Sequence, residues 1–409
     1  MSGSRRANGW SQMVAAPLFV ALCTVFFCTA APAAAAVAPS SGNAVSSPAA
    51  AALQEYGGMS QNAIEQAWQN LNVKYGGFIP PTASGQWVPT FFAGHGGAPF
   101  SQWLDGFFRF FLGVLWQNAR LLGTILILAV LAAVLQTIQT AFESEFVSRI
   151  AFLVVHLALI VLAVSSFHQA TSDAGGAIDT MTATMYGSLP VVLALIAASG
   201  GLTSAAIFHP LFVFIVNAVG LLVHNWVFPM IFFSAVLTIV SAVSERFKVT
   251  ELANFIRTVT LTVLGLSMTA FLGIMSVQGS IAGVSDGVAM RSAKFLAGLV
   301  PFVGKALSDA SETVAGASLL VKNATGFASA VLLLLICAFP ALKIFALALV
   351  YNGSAAILQP LGNSPVVVTL SAVGKSLMLV FAALCAVGLM FFFALVIVMA
   401  ATNTAAFAR

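Results

Sequence analysis

Charge is scarce in this sequence. Asp, Glu, Lys and Arg make up 7% of its 409 residues, where an average soluble domain carries about 25%. A chain so poor in charge cannot cover a water-facing surface, which excludes a soluble globular fold. Disorder is excluded as well: it needs low hydrophobicity and high net charge, whereas 60% of these residues are hydrophobic. The formal net charge of +4 is too small to suggest nucleic-acid binding. Cysteine is equally sparse. Cys23 and Cys28 fall in the N-terminal apolar run, and Cys337 and Cys385 in later ones. Neither pair has metal-ligand spacing, and no disulfide framework is implied. A nucleotide-binding glycine loop, an HExxH motif and a GxSxG elbow are all missing. No enzyme activity, cofactor or metal is therefore expected.

What the chain does have is long apolar runs, with mean hydropathy +1.01. They predict an all-α, polytopic integral membrane protein. A span needs about 20 apolar residues, and the runs suggest seven or eight. They are 121–139, 150–167, a weaker 189–208, a short 211–226, a short 227–243, 258–277, 330–350 and 376–400. The polar triplet His224-Asn225-Trp226 reads as a tight turn between the fourth and fifth.

Residues 1–36 read as a secretory signal peptide. Arg5 and Arg6 are its positive region, Met13 to Phe27 its apolar region, and the alanines near 33–38 its cleavage site. An uncleaved first helix is the alternative. Residues 37–106 read as an extracytoplasmic segment rich in Pro, Gly and aromatics. It has a linker at 38–52, a short helical pattern at 59–73 and a loop from Tyr75 through His95. So small a segment makes a marginal core by itself, so it is expected to dock on the membrane surface or on partners. Trp103, Phe107 and Trp116 suit a lipid–water interface.

The remaining chain divides into a first membrane helix bundle (107–277), an amphipathic or re-entrant segment (278–328) and C-terminal membrane helices (329–409). With the N-terminus outside, 169–187 is read as an outer loop carrying Asp173 and Asp179 and no cation. The loop at 244–257, with three basic residues, falls inside. Both agree with the positive-inside rule. Segment 278–328 then begins outside although it holds Arg291, Lys294, Lys305 and Lys322, which conflicts with that rule.

Segment 278–328 is the most informative. Gly279, Gly283 and Gly287 recur every fourth residue, which on a helix allows close approach of a second helix. Flexibility before a turn would explain them equally well. Asp286, Arg291 and Lys294 follow; the two cations are neighbours on one helical side. The apolar run 295–303, broken by Pro301, is too short to span but suits a re-entrant or interfacial element. Lys305, Asp309 and Glu312 then form one helical stripe, with Lys322 beyond. The stripe is either a solvated face or the lining of a conduit or subunit interface, because ionised groups at membrane depth usually face protein or water.

Lys343 lies inside the seventh run. It either snorkels to an interface near Tyr351 or is a buried functional cation. His156, His168, His209 and His224 lack paired spacing and read as interhelical hydrogen-bonding groups, as do Asn217 and Gln278.

The chain resembles the stage III sporulation protein AE family. The resemblance rests on Ser285-Asp286-Gly287, Arg291-Ser292-Ala293-Lys294-Phe295, Pro301-Phe302-Val303-Gly304-Lys305 and Ser308-Asp309-Ala310. It continues through Thr313-Val314, Gly316, Ser318-Leu319-Leu320, Lys322-Asn323, Phe339-Pro340-Ala341-Leu342-Lys343-Ile344, Leu358-Gln359-Pro360-Leu361-Gly362 and Ala386-Val387-Gly388-Leu389-Met390-Phe391-Phe392. It is strong over about residues 240–405 and looser over 107–240, and 37–105 does not align. The resemblance implies a multi-pass protein of the mother-cell membrane around the forespore. It implies partners among the other membrane subunits of a secretion-like channel, or feeding tube, that links the two cells during endospore development. Contact with the lipid bilayer and a homo-oligomer fit the same picture, and nucleic acid does not. Two rivals remain from the residues alone: a stand-alone secondary transporter, which also uses discontinuous helices, and a polytopic subunit of a type IV secretion system.

Overall fold

The computed structural model describes residues 65–79, 100–141, 145–198, 202–243, 249–298, 303–361 and 364–407, with 100–101, 136–141, 145–149, 191, 195, 198, 202–203, 243, 282–284, 286–298, 303–325, 327, 361 and 401–407 described by backbone alone. The expected signal peptide, the 38–52 linker, the Pro80–His95 part of the loop and Pro301 lie outside these residues. Apart from Ile79, Val249 and Ser364, the described residues are helical or turn, with no strand among them. In order, the elements are α1 (65–75), α2 (Phe100–Gln117), α3 (Ala119–Ala141), α4 (Glu145–Ala198) and α5 (Leu202–Leu222). A π-helical turn (Val223–Val227) and α6 (Phe228–Val243) follow. Then come α7 (Thr250–Gly298), α8 (Val303–Leu358), a 3-10 turn (Gln359–Leu361) and α9 (Pro365–Phe407).

Among the described residues, five stretches are long and apolar enough to cross a membrane: Ile150–Ala194, Ser204–Ala242, Thr250–Ile281, Ala328–Leu358 and Pro365–Ala400. The pair Gln102–Gln117 and Ala119–Leu135, bent by 41°, makes six if counted as one span. This is fewer than the seven or eight expected from apolar runs, because two expected boundaries are not breaks.

The first is 169–187, which is not a loop but the middle of the 54-residue α4. Its polar residues do not interrupt the helix, because threonine hydroxyls bond back to the turn before. Thr180 donates to the Gly176 carbonyl at 2.7 Å and Thr184 to the Thr180 carbonyl at 2.8 Å. Ala174, Ala177, Ile178, Met181 and Met185, one helical stripe, are buried. The second is His224-Asn225-Trp226. The helix runs straight through it, absorbing one extra residue as the π-helical turn between α5 and α6.

The described parts of segment 278–328 belong to two long helices. Residues 278–298 continue α7, and 303–328 begin the 56-residue α8. No strong helix breaker precedes Gly298, so the sixth apolar run is propagated well past its apolar limit.

At 1.5 Å per residue, α4 and α8 are each about 80 Å long, more than twice a hydrocarbon layer of about 30 Å. The two run antiparallel, as Ser166 beside Tyr351 and Asp173 beside Lys343 show. Helix α9 packs closely on α8, also antiparallel. There Gly388 faces Cys337 and Gly374 faces Asn352, about four turns apart on one face of α9, with no room for a Cβ at either. Small residues at such a seam let backbones approach, which is the main source of helix association where no hydrophobic drive exists. Of the expected packing glycines, Gly279 is buried on α7, and Gly283 and Gly287 continue along the same helix. Large apolar side chains such as Ile127, Val154, Leu157, Phe214, Phe255 and Leu266 remain exposed, far beyond what a water-soluble monomer presents.

The pre-membrane segment docks on this bundle. Trp68, Leu71 and Ile79 are buried. The Tyr75 ring stacks on Phe339 with centroids 4.3 Å apart and planes 7° from parallel. Phe110 meets both Tyr75 and Phe78 edge-on. Phe107, expected at a lipid–water interface, instead packs on Phe339 at 5.4 Å, whereas Trp116 is exposed.

Candidate functional site: a polar seam along the fourth helix

Asp173 of α4 is turned towards α8. Lys343 Nζ lies 2.7 Å from Asp173 Oδ2, with the two side chains 40% and 31% exposed. Lys343 thus has a protein partner across the helix contact. Tyr351, the expected interfacial anchor, is completely buried. Its hydroxyl reaches Ser166 Oγ at 2.7 Å and the Leu162 carbonyl at 3.2 Å. The cation is held at the α4–α8 contact because the antiparallel register sets Asp173 opposite it. A partnered ion pair is the form in which such charges are tolerated at membrane depth.

Tyr75 of the pre-membrane segment stacks on Phe339, one turn before Lys343 on α8. Burial raises its phenol above the ordinary 10.0; the Lys343 ammonium opposes that shift, and Asp173 adds to it.

On another face of α4, His224 Nε2 of the π-helical turn lies 3.4 Å from Asp179 Oδ1. The approach depends on Gly175: a Cβ there would sit 2.8 Å from His224 Cε1, whereas one at Gly176 meets nothing. Beside this contact is an open cavity of about 830 Å³, lined among others by His168, Ser172, Asp179, His224, Phe232 and Phe233.

Lower on α4, the buried His156 sits with Nε2 3.5 Å from Thr369 Oγ1 of α9. Its Nδ1 has no protein partner. Asn217, read as an interhelical group, instead donates to the Val213 carbonyl of its own helix at 3.2 Å.

The structure distributes the remaining expected residues over two helices. Asp286, Arg291 and Lys294 lie along the C-terminal end of α7. Lys305, Asp309, Glu312 and Lys322 lie along the N-terminal part of α8. The backbone at Lys305, Asp309 and Glu312 is continuous helix. Sequence reasoning missed Asp173, Asp179 and the role of Gly175, having assigned them to an outer loop. The buried stripe from Ala174 to Met185 is the signal that could have found them.

Among the described residues these features define an all-helical protein with five or six helices apolar enough to cross a membrane and one Lys–Asp ion pair at a helix–helix contact. The family profile of stage III sporulation protein AE matches residues 83–402. Stage III sporulation protein AE of Bacillus subtilis (strain 168) is 42% identical over 341 residues, covering 83% of this chain and 85% of that protein. The chain belongs to the stage III sporulation protein AE family. The match begins at residue 83 and so takes in part of the 37–106 segment that the motifs did not reach. No solved structure matches the chain.

Proposed function

We propose that this chain is an integral membrane subunit of a sporulation-specific, secretion-like channel linking mother cell and forespore, and is required for endospore development. The observation that carries the reading is the family match over residues 83–402, at 42% identity to the Bacillus subtilis relative. The seam on α4 supports a conduit or interface role, since paired charges inside an apolar bundle are retained where protein or water faces them. In this reading the chain sits in the mother-cell membrane around the forespore. There it assembles with the other membrane subunits, and no catalytic step is assigned to it. The ends of α7 and α8, from Asp286 through Lys322, face the conduit or a neighbouring subunit. Residues 1–36 direct insertion, and 37–106 lie on the extracytoplasmic side.

The test is replacement of the 42%-identical relative in Bacillus subtilis by this chain, scored by heat-resistant spores and by fluorescence in the membrane around the forespore. Restored sporulation supports the reading. Failure of an expressed, membrane-inserted chain, where the native copy succeeds, overturns it. Lys305→Ala, Asp309→Ala and the double variant then probe the stripe. Normal sporulation by all three means a merely solvated face. Solute uptake by the purified chain alone in vesicles would instead favour a stand-alone transporter.

A further inference from the structure

Among the described residues, two cations on packed helices have no counter-charge, and what they imply does not depend on the channel reading. Lys375 is the sole charged residue of α9, and Arg257 is the sole charged residue of α7 between Glu251 and Asp286. Helix α7 packs along α9, and the Arg257 guanidinium repels the Lys375 ammonium. No described carboxylate pairs with either cation. Glu251 lies six residues before Arg257, off its helical side. Asp173 and Asp179 are engaged by Lys343 and His224. Both cations sit towards one end of the bundle. Helix α6 packs Phe232 on Phe167 of α4 and ends at Val243, and Ser241 meets Thr250 at the start of α7. Thr369, at the start of α9, lies beside His156 of α4. Arg257 is therefore about 10 Å, and Lys375 about 15 Å, inside the first residues of their helices, within reach of long side chains that extend to a membrane surface.

Each cation heads an apolar stripe that runs deeper along its own helix. Arg257 is half-buried: Ala253 and Thr260 on one flank are buried, whereas Leu261 on the other is exposed. Leu261, Gly265, Met268 and Leu272 continue that flank at helical spacing, exposed or partly so. Gly265 has open space where a Cβ would go. On α9 the exposed Lys375 is followed by Leu379, Ala382 and Ala386, likewise exposed or partly so.

We propose that Arg257 and Lys375 together bind the phosphate of an anionic phospholipid headgroup, whose acyl chains follow the apolar stripes of α7 and α9. Two like charges held together in an apolar bundle are costly unless an anion lies between them. A phosphate oxygen set neutralises both, the guanidinium as a two-pronged donor and the ammonium as a point charge. Basic sites between membrane helices near a surface suit such headgroups. The surroundings discriminate between sources of phosphate. A free phosphate would pair the cations but leave both stripes uncovered. A zwitterionic headgroup would bring its own ammonium to a place that already holds two cations. A lipid with phosphate and no ammonium satisfies both halves.

The test places the full chain in nanodiscs of phosphatidylcholine, with and without phosphatidylglycerol of the same acyl chains. Retained lipid is read by native mass spectrometry and stability by thermal unfolding. Wild type is expected to retain phosphatidylglycerol over phosphatidylcholine by at least about tenfold. Arg257→Gln and Lys375→Gln should each lower that preference by at least about threefold, and the double variant should abolish it. Arg120→Gln, which removes an exposed cation elsewhere, should leave it unchanged. In phosphatidylcholine alone Lys375→Gln should unfold no earlier than wild type, because it relieves the repulsion, so its loss of preference is not a loss of fold. Phosphatidylglycerol should raise the unfolding midpoint of wild type, and inorganic phosphate added to phosphatidylcholine discs should not. No preference in wild type, an undiminished preference in the folded double variant, an equal loss in Arg120→Gln, or equal protection by inorganic phosphate overturns the proposal.

Discussion

Lys343 and Asp173, far apart in sequence, meet at 2.7 Å across the antiparallel contact of α8 and α4. Each charge lies in a long apolar bundle only because the other faces it. Removing one partner leaves the other uncompensated, whereas removing both leaves a neutral contact. Lys343→Met or Asp173→Asn alone is expected to cost about 1–3 kcal/mol, discounted from the fully buried case because both side chains are partly exposed. The double variant should cost less than the sum of the singles. Thermal unfolding in detergent measures this, and additive losses would show that the pair is not coupled.

Tyr351 tests the polar contact deeper in the same seam. Its hydroxyl is buried against Ser166 Oγ at 2.7 Å. Tyr351→Phe removes the donor and leaves Ser166 with one partner fewer, at a cost of about 1–2 kcal/mol. Ser166→Ala should cost less, because the Leu162 carbonyl remains within 3.2 Å of the hydroxyl. Equal losses in both variants would argue against that second acceptor.

Adjacent glycines on α4 should respond in opposite directions. Gly176 has open space where a Cβ would go, so Gly176→Ala is expected to stabilise the helix by up to about 1 kcal/mol. At Gly175 the Cβ would meet His224 Cε1 at 2.8 Å. Gly175→Ala must therefore push the imidazole away from Asp179, and it should lower the unfolding midpoint. His224→Ala should relieve the penalty. A Gly175→Ala protein as stable as Gly176→Ala would show that the close approach is unimportant.

Docking of the pre-membrane segment should weaken at alkaline pH. The Tyr75 phenol is raised above 10.0 when docked, chiefly by burial. As pH climbs through 10.0 the unfolded phenol ionises first, so the unfolded state binds fewer protons and stability falls until the docked phenol ionises as well. The loss is confined to that window and is absent below it. Comparing wild type with Tyr75→Phe between about pH 8 and about pH 11 isolates this contribution. The variant keeps the ring on Phe339 and should show a smaller alkaline decline. Identical declines would assign the effect to other groups.

Much of the architecture is legible along the chain, and the errors share one cause. Apolar composition predicts a helical membrane-type protein, and the runs at 258–277, 330–350 and 376–400 each fall within one apolar helix. The count failed at 169–187 and at 224–226, where polarity was read as chain reversal. Polarity does not end a helix when hydroxyls bond their own preceding turn, as Thr180 and Thr184 do. It does not end one either when an extra residue is absorbed, as at Val223–Val227. The charges after residue 285 drew attention because they are dense in sequence. Those of α4 were passed over because their partners are remote.

Residue composition and motif order were sufficient to establish that this chain is helical, lipid-suited and a member of its family. Both follow from local properties, namely the apolar content of each run and short residue strings. Which charges face one another was decided only by tertiary packing. Antiparallel registry sets Asp173 against Lys343, and one π-helical turn sets His224 against Asp179. Such pairings depend on the relative height and rotation of whole helices, quantities fixed by close packing at seams such as Gly388 against Cys337 rather than by any local pattern.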